Sequence, residues 1–208
     1  MDWHHRARKV LLTGKSGSGK TTLWLSLLKR DKARWKLIFD PDLEVSARLG
    51  WPYVTDPASL AAASEQGLPV CFNSSALFPG RPRQGFDFFC LWLWEVRGDL
   101  PGRKIFAVDE VWKFVPQRRD LPEGFALLWE EGRKQSIDCL LVAQRYNKVH
   151  DSIRAQLTEL YCFQQHDSLV LDVLESDGYF RREQVQALTY PGGYLRRDLT
   201  REAHPPRV

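Results

Sequence analysis

The chain has 208 residues, with 30 Lys and Arg against 26 Asp and Glu, for a formal net charge of +4. That length holds one domain with a sizeable core, and 43% hydrophobic against 27% charged residues excludes an intrinsically disordered chain. No apolar run approaches the roughly 20 residues of a membrane-spanning helix, so no transmembrane segment is expected; the longest candidate, over 86–96, fits a buried core helix. Met1 is followed by Asp2-Trp3-His4-His5-Arg6 with no apolar signal core, which predicts a cytoplasmic protein. Cys71, Cys90, Cys139 and Cys162 sit singly in apolar stretches, and neither they nor the five histidines have ligand spacing. They are expected to be buried, reduced thiols.

The elements alternate in type along the chain. A strand over 10–13 runs into a Gly-rich turn, and a helix over 21–28 follows with Leu23, Trp24, Leu27 and Leu28 on one side. A second strand over 36–39 closes at Asp40-Pro41-Asp42, and a short run over 69–72 is a third. The helix over 86–96 ends at Gly98 and Pro101-Gly102. The continuous apolar strand over 105–108 is of the kind covered on both faces. A helix over 123–134 places Phe125, Leu128 and Trp129 on one side; a buried strand over 139–143, a helix over 152–157 and a strand over 160–163 follow. From residue 181 the chain is polar and basic, with Arg181, Arg182, Arg196, Arg197, Arg201 and Arg207, and 203–208 reads as a loose tail or docking arm. The pattern predicts an α/β fold with a mostly parallel central sheet flanked by helices. Its core spans 1–180, and 181–208 is a basic extension of the same domain.

Gly14-Lys15-Ser16-Gly17-Ser18-Gly19-Lys20-Thr21, followed by Thr22, fits the phosphate-binding loop (P-loop, or Walker A) pattern between a strand and a helix. Glycines let successive N–H groups curl around one anion, where a Cβ would obstruct, and the helix N-terminus adds its positive dipole end. In that frame Lys20 reaches the β- and γ-phosphates of ATP and the Thr21 hydroxyl ligates Mg²⁺. The strand over 105–108 ends in Asp109-Glu110, a Walker B arrangement that delivers carboxylates to the sheet edge where ligands of open α/β sheets bind. Asp109 is the expected Mg²⁺ holder, and Glu110 the group that polarises the attacking water. This glutamate, and room for a βα unit between Thr21 and Asp109, favour the P-loop branch with an additional strand and a catalytic Glu. A third strand ends in Gln144, whose amide would sense the γ-phosphate. Arg133, at a helix end, is either a cation favoured by the dipole or an arginine finger for a neighbouring subunit. Arg145 and Arg154 are further finger candidates.

Taken together, Gly-Lys-Ser-Gly-Ser-Gly-Lys-Thr, Ile-Phe-Asp-Pro-Asp, Phe-Ala-Val-Asp-Glu and Gly-Arg-Lys-Gln-Ser-Ile-Asp-Cys-Leu-Leu-Val-Ala-Gln-Arg resemble the FtsK/HerA superfamily. The likeness runs on through Ile153-Arg154 and Leu157-Thr158-Glu159 to about Asp172. Within that superfamily the compact chain resembles the genome-packaging ATPases of tailless, membrane-containing viruses with double-jelly-roll capsids. The resemblance implies a homo-oligomeric ring that hydrolyses ATP to translocate double-stranded DNA into a preformed capsid, with capsid or membrane vertex proteins as further partners. Lys113, Arg118 and Arg119 on one loop, and Arg81 and Arg83 on another, are candidate DNA contacts; each segment reads equally as a solvated loop. The alternatives are a zonula-occludens-toxin-like phage assembly ATPase, a small-molecule P-loop kinase and a slow nucleotide-dependent assembly switch.

Overall fold

The computed structural model describes residues 7–200; His4, His5, Arg201, His204, Arg207 and the expected tail over 203–208 lie outside that range. The strands that carry the fold are short and apolar, and they alternate between two cores. β1 (Lys9–Thr13), β2 (Trp35–Phe39), β4 (Val70–Phe72), β5 (Lys104–Val108), β6 (Ile137–Ala143) and β7 (Glu159–Phe163) are buried along their whole length. Because successive side chains point to opposite faces, Val10, Leu12, Ile38, Ile105, Ala107, Leu140 and Val142 pack into one apolar cluster. Leu11, Leu37, Phe39, Phe106, Val108, Cys139 and Leu141 pack into the other.

The first cluster is closed by Trp24, Leu25 and Leu28 of α1 (Lys20–Arg30) and by Val45 of α2 (Glu44–Leu49). The second is closed by α4 (Pro82–Val96) and α5 (Glu123–Glu131), through Phe86, Phe89, Leu93, Phe125, Leu128 and Trp129. These two helices cross closely at Gly124, where a Cβ would stand 2.5 Å from the Leu91 backbone nitrogen. The four cysteines are fully buried and free, and burial pushes the Cys139 and Cys162 thiols up to about 12. No helix among the described residues is long and apolar enough to cross a membrane.

A two-residue β3 (Tyr53–Val54), α3 (Pro57–Glu65), α6 (Asp151–Arg154), α7 (Ser168–Ser176), α8 (Arg182–Gln186) and β8 (Tyr194–Asp198) complete the elements. The sheet order is β3-β4-β2-β5-β6-β1-β7-β8. All pairings are parallel except β7 with β8. β1 therefore lies between β6 and β7, with Leu11 opposite both Leu141 and Leu160.

Several expected boundaries move. The helix over 123–134 stops at Glu131 and tightens into a 3₁₀ turn, Gly132–Gln135, which ends at Ser136 with φ 55°. That over 152–157 is the single turn of α6. Strands begin earlier than their apolar runs because charged residues at their starts are buried with partners. Asp138 accepts from the Arg8 backbone N–H at 2.9 Å and from Arg103 Nη1 at 2.9 Å. Glu159 bridges Arg8 at 2.7 Å and Arg196 at 2.9 Å. Burial works against this charge, yet the two guanidinium groups hold the Glu159 carboxyl below its usual range. The basic stretch from 181 is folded as far as it is described: α8 packs against α7, and β8 adds to the sheet edge beside β7.

Candidate active site

Parallel strands put their carboxyl ends on one edge, and the site residues gather there. Gly14 (φ 148°), Gly17 (φ 72°) and Gly19 (φ 100°) leave β1 in conformations L side chains rarely adopt. A Cβ on Gly14 would lie 2.6 Å from the Phe163 Cβ of β7, so the loop also needs its closeness to that strand. The turn closes by Lys15 N–H donating to Gln164 O at 3.1 Å and Ser18 N–H to Lys15 O at 3.3 Å. α1 then starts at Lys20. Lys20 is 5% exposed, and its ammonium donates back to Lys15 O at 2.8 Å. Burial lowers its pKa, against the opposing pull of Glu110 and Asp109. The Ser18 hydroxyl is buried in the loop without a partner, the kind of group a bound anion would satisfy.

Asp109 and Glu110 stand at the end of β5, and β6 is wedged between β5 and β1. The added strand comes from downstream of Asp109. The chain between Thr21 and Asp109 instead forms β2, β3 and β4 on the far side of β5. Glu110 has φ 50°, and its N–H donates to Asp109 Oδ1 at 2.7 Å. Burial first, and then the Glu110 charge, push the Asp109 carboxyl up to about 6. A desolvated acid beside a second acid and a buried lysine suits a divalent cation, because the ion would relieve both the repulsion and the burial. Thr21, half-buried in the first turn of α1, is the accompanying hydroxyl.

The raised pKa has a stability consequence. The unfolded carboxyl ionises near its ordinary value and the folded one only near 6, so stability is lost as pH rises between them. Asp109→Asn should therefore stabilise the nucleotide-free protein by about 2–3 kcal/mol at pH 7. The gain should vanish near pH 4, as measured by urea unfolding at the two pH values.

Gln144 directly follows β6 and is exposed at the same edge. Its backbone N–H donates to Glu110 Oε2 at 3.2 Å, and its carbonyl accepts from Gln165 Nε2 at 2.9 Å. Arg133 is not brought to this site. It precedes β6, at the opposite edge of the sheet, roughly 20 Å away across a seven-residue strand. Arg145 is at the correct edge, 55% exposed and 3.9 Å from Asp167. Arg154 is committed to Asp151 at 2.6 Å and Asp177 at 3.1 Å, with 14% of its side chain exposed.

Three features of the site escaped the sequence reading. Trp112 donates its indole N–H to Glu110 Oε2. Gln165 braces Gln144. The turn 189–193 lies across the P-loop: Gly192 N–H donates to Ser18 O at 3.0 Å, and the Lys15 ammonium sits 4.0 Å from the Tyr190 ring centroid. Of the expected DNA contacts, Arg83, Arg118 and Arg119 line one open groove with Gln117, Asp120 and His150. Arg83 Nη2 donates to Asp120 O at 3.0 Å, joining the first turn of α4 to the loop that carries Arg118 and Arg119. Arg81 is exposed outside this groove, and Lys113 points instead to Asp42 at 4.0 Å, in a small cavity shared with Asp109 and Glu110.

No protein-family model and no curated protein matches the sequence. Among solved structures, the genome packaging NTPase B204 of Sulfolobus turreted icosahedral virus 2, in complex with AMPPCP, aligns with a TM-score of 0.70 at 14% identity, over 94% of each chain. B204, the DNA-packaging ATPase of Sulfolobus turreted icosahedral virus, aligns with a TM-score of 0.66 at 17% identity, over 94% of this chain and 95% of that one. EssC (ATPases 2 and 3) of Geobacillus thermodenitrificans reaches 0.58 at 14% identity, over 94% of this chain and 38% of that one. At such identities the likeness is one of fold. The chain has the fold of P-loop NTPases, and the expected resemblance to packaging ATPases holds at that level.

Proposed function

We propose that this chain is an ATP-hydrolysing motor that translocates double-stranded DNA, of the kind that packages viral genomes into preformed capsids. The observation that carries the reading is the meeting of Lys20, Asp109, Glu110 and Gln144 at one sheet edge around a glycine nest, with an additional strand between β1 and β5. Residues Gly14 to Thr22 cradle the phosphates of ATP with backbone N–H groups. Lys20 neutralises the β- and γ-phosphates, and Glu110 takes the proton of the attacking water. The Gln144 side chain orients that water against the γ-phosphate. Thr21 and Asp109 would hold Mg²⁺, which when bound would supply charge stabilisation for the transferred phosphoryl group. The likeness in fold to packaging NTPases solved with nucleotide analogues supports the same reading.

The DNA part of the proposal rests on the groove. The first turn of α4 and the loop over 114–120, far apart in sequence, place Arg83, Arg118 and Arg119 together, which suits sequence-independent contact with phosphates. In a homo-oligomeric ring the grooves of successive copies would line the path of the duplex, and an arginine of one copy, Arg133 or Arg145, would serve the next copy's nucleotide. Capsid or membrane vertex proteins are the proposed docking partners, and the host cytoplasm the proposed place of action.

The test is ATP hydrolysis with and without duplex DNA, beside a variant carrying Arg118→Ala and Arg119→Ala. Stimulation by DNA is expected in the wild type. In the variant, weaker DNA binding and a salt dependence shallower by about one unit per lost phosphate contact are expected. Hydrolysis indifferent to DNA would remove the translocase reading, and phosphate transfer to a metabolite would replace it with a kinase.

A further inference from the structure

Glu110 carries its carboxylate on a flexible stem that leaves β5 through a left-handed residue, φ 50°. Nothing in its own backbone fixes where the two oxygens point. Two donors do. The indole N–H of Trp112 and the backbone N–H of Gln144, the latter at 3.2 Å, both reach the same oxygen, Oε2. With Oε2 held by two donors, accepting a proton from water falls to Oε1.

Trp112 is itself held. It sits in the 3₁₀ turn Val111–Lys113, whose Val111 is fully buried and whose carbonyl accepts from Phe114 at 3.0 Å and Val115 at 2.9 Å. Its half-buried ring has the Lys148 ammonium 4.8 Å from the centroid. Just beyond, Pro116 pairs with Val149, so the strap that carries Trp112 is tied to the 146–150 loop. A rigid, two-sided seat of this kind costs a carboxylate conformational freedom, which is useful only if its orientation matters.

We propose that Trp112 is a positioning residue for Glu110. Its N–H, with that of Gln144, pins Oε2 so that Oε1 is presented to the attacking water. This rests on the reading of Glu110 as the water-activating base.

The test compares kcat and nucleotide affinity in the wild type, Trp112→Phe, Trp112→His and Glu110→Gln, with a fluorescent ATP analogue reporting binding. Trp112→Phe keeps an aromatic ring for Lys148 and removes the donor together with the five-membered ring that carries it, so the split between rate and affinity separates the lost donor from lost packing. Its kcat should fall about tenfold, with analogue affinity within twofold of wild type. Trp112→His restores a ring N–H and should recover part of the rate, and it serves the same comparison if the Phe variant does not fold. A rate at or above wild type in Trp112→Phe, with Glu110→Gln inactive, overturns the proposal alone. Equal losses in rate and affinity overturn it too, as they would mark a packing role. Hydrolysis by Glu110→Gln at the wild-type rate overturns both the proposal and the reading of the site.

Discussion

Lys20→Ala should lower ATP hydrolysis by about 10³-fold or more and weaken nucleotide binding with it. Lys20 is 5% exposed and its ammonium crosses the loop to Lys15 O at 2.8 Å, inside the glycine nest where a phosphate would lie and where little water competes for it. Its charge is also the counterweight to two carboxylates, Asp109 and Glu110, that already repel each other across a desolvated edge. Without it, three or four phosphate charges would have to enter beside unopposed acids. Equilibrium binding of a fluorescent ATP analogue and phosphate release are the measurements. Wild-type affinity in the variant would show that this loop does not hold the nucleotide. A thermal melt separates the effect from unfolding, since the Lys15 carbonyl keeps the Ser18 N–H as a donor.

Glu110→Gln should behave in the opposite sense on binding. General-base removal lowers turnover by about 10²–10⁴-fold, while the loop, Lys20, Thr21 and Asp109 stay in place. The amide can still accept from Trp112 and Gln144 through its oxygen, so the geometry is kept and the basicity is lost. ATP should therefore bind and remain intact, and complexes with duplex DNA should persist in the nucleotide-bound form. Single-turnover hydrolysis with labelled ATP gives the rate directly. Turnover within a few-fold of wild type would transfer the role of base to another group.

Much of the site could be read in the sequence because it lies where local signals are strongest. A glycine-rich loop between a buried strand and a helix, and apolar strands ending in Asp109-Glu110 and Gln144, mark the carboxyl edge on their own. What was not legible depends on contacts between distant segments. β3 is two residues long, below any periodicity. α3 did carry a start signal, with Asp56 accepting from Ser59 at 2.9 Å and Pro57 at the first position, but its alanines show no apolar stripe. α4 begins at Pro82, four residues ahead of its apolar run, because proline is tolerated in the first turn. The strand-opening charges Asp138 and Glu159 look exposed until Arg8, Arg103 and Arg196 arrive from elsewhere in the chain. Trp112 and Tyr190 reach the site by the same kind of long-range folding. The inserted strand β6 was expected in the sheet, but its origin downstream of Asp109 follows only from the topology.

The place of β1 bears on how the protein is made. It is the earliest synthesised of the strands described, yet both its partners, Ile137–Ala143 and Glu159–Phe163, come from the far end of the chain. At 5–20 residues per second, on the order of 10 s pass before either emerges from the ribosome. Throughout that interval Val10, Leu11 and Leu12 have no strand to pair with, only the adjacent α1 for Val10 and Leu12 to pack against, and the glycine nest lacks its Phe163 wall. Nucleotide therefore has no completed site to stabilise in a nascent chain, and products that end before residue 137 would carry β1 with neither of its strand partners. Exposed apolar strands of this kind are prone to aggregate, so the yield of folded protein is expected to rise when nascent chains are shielded by chaperones.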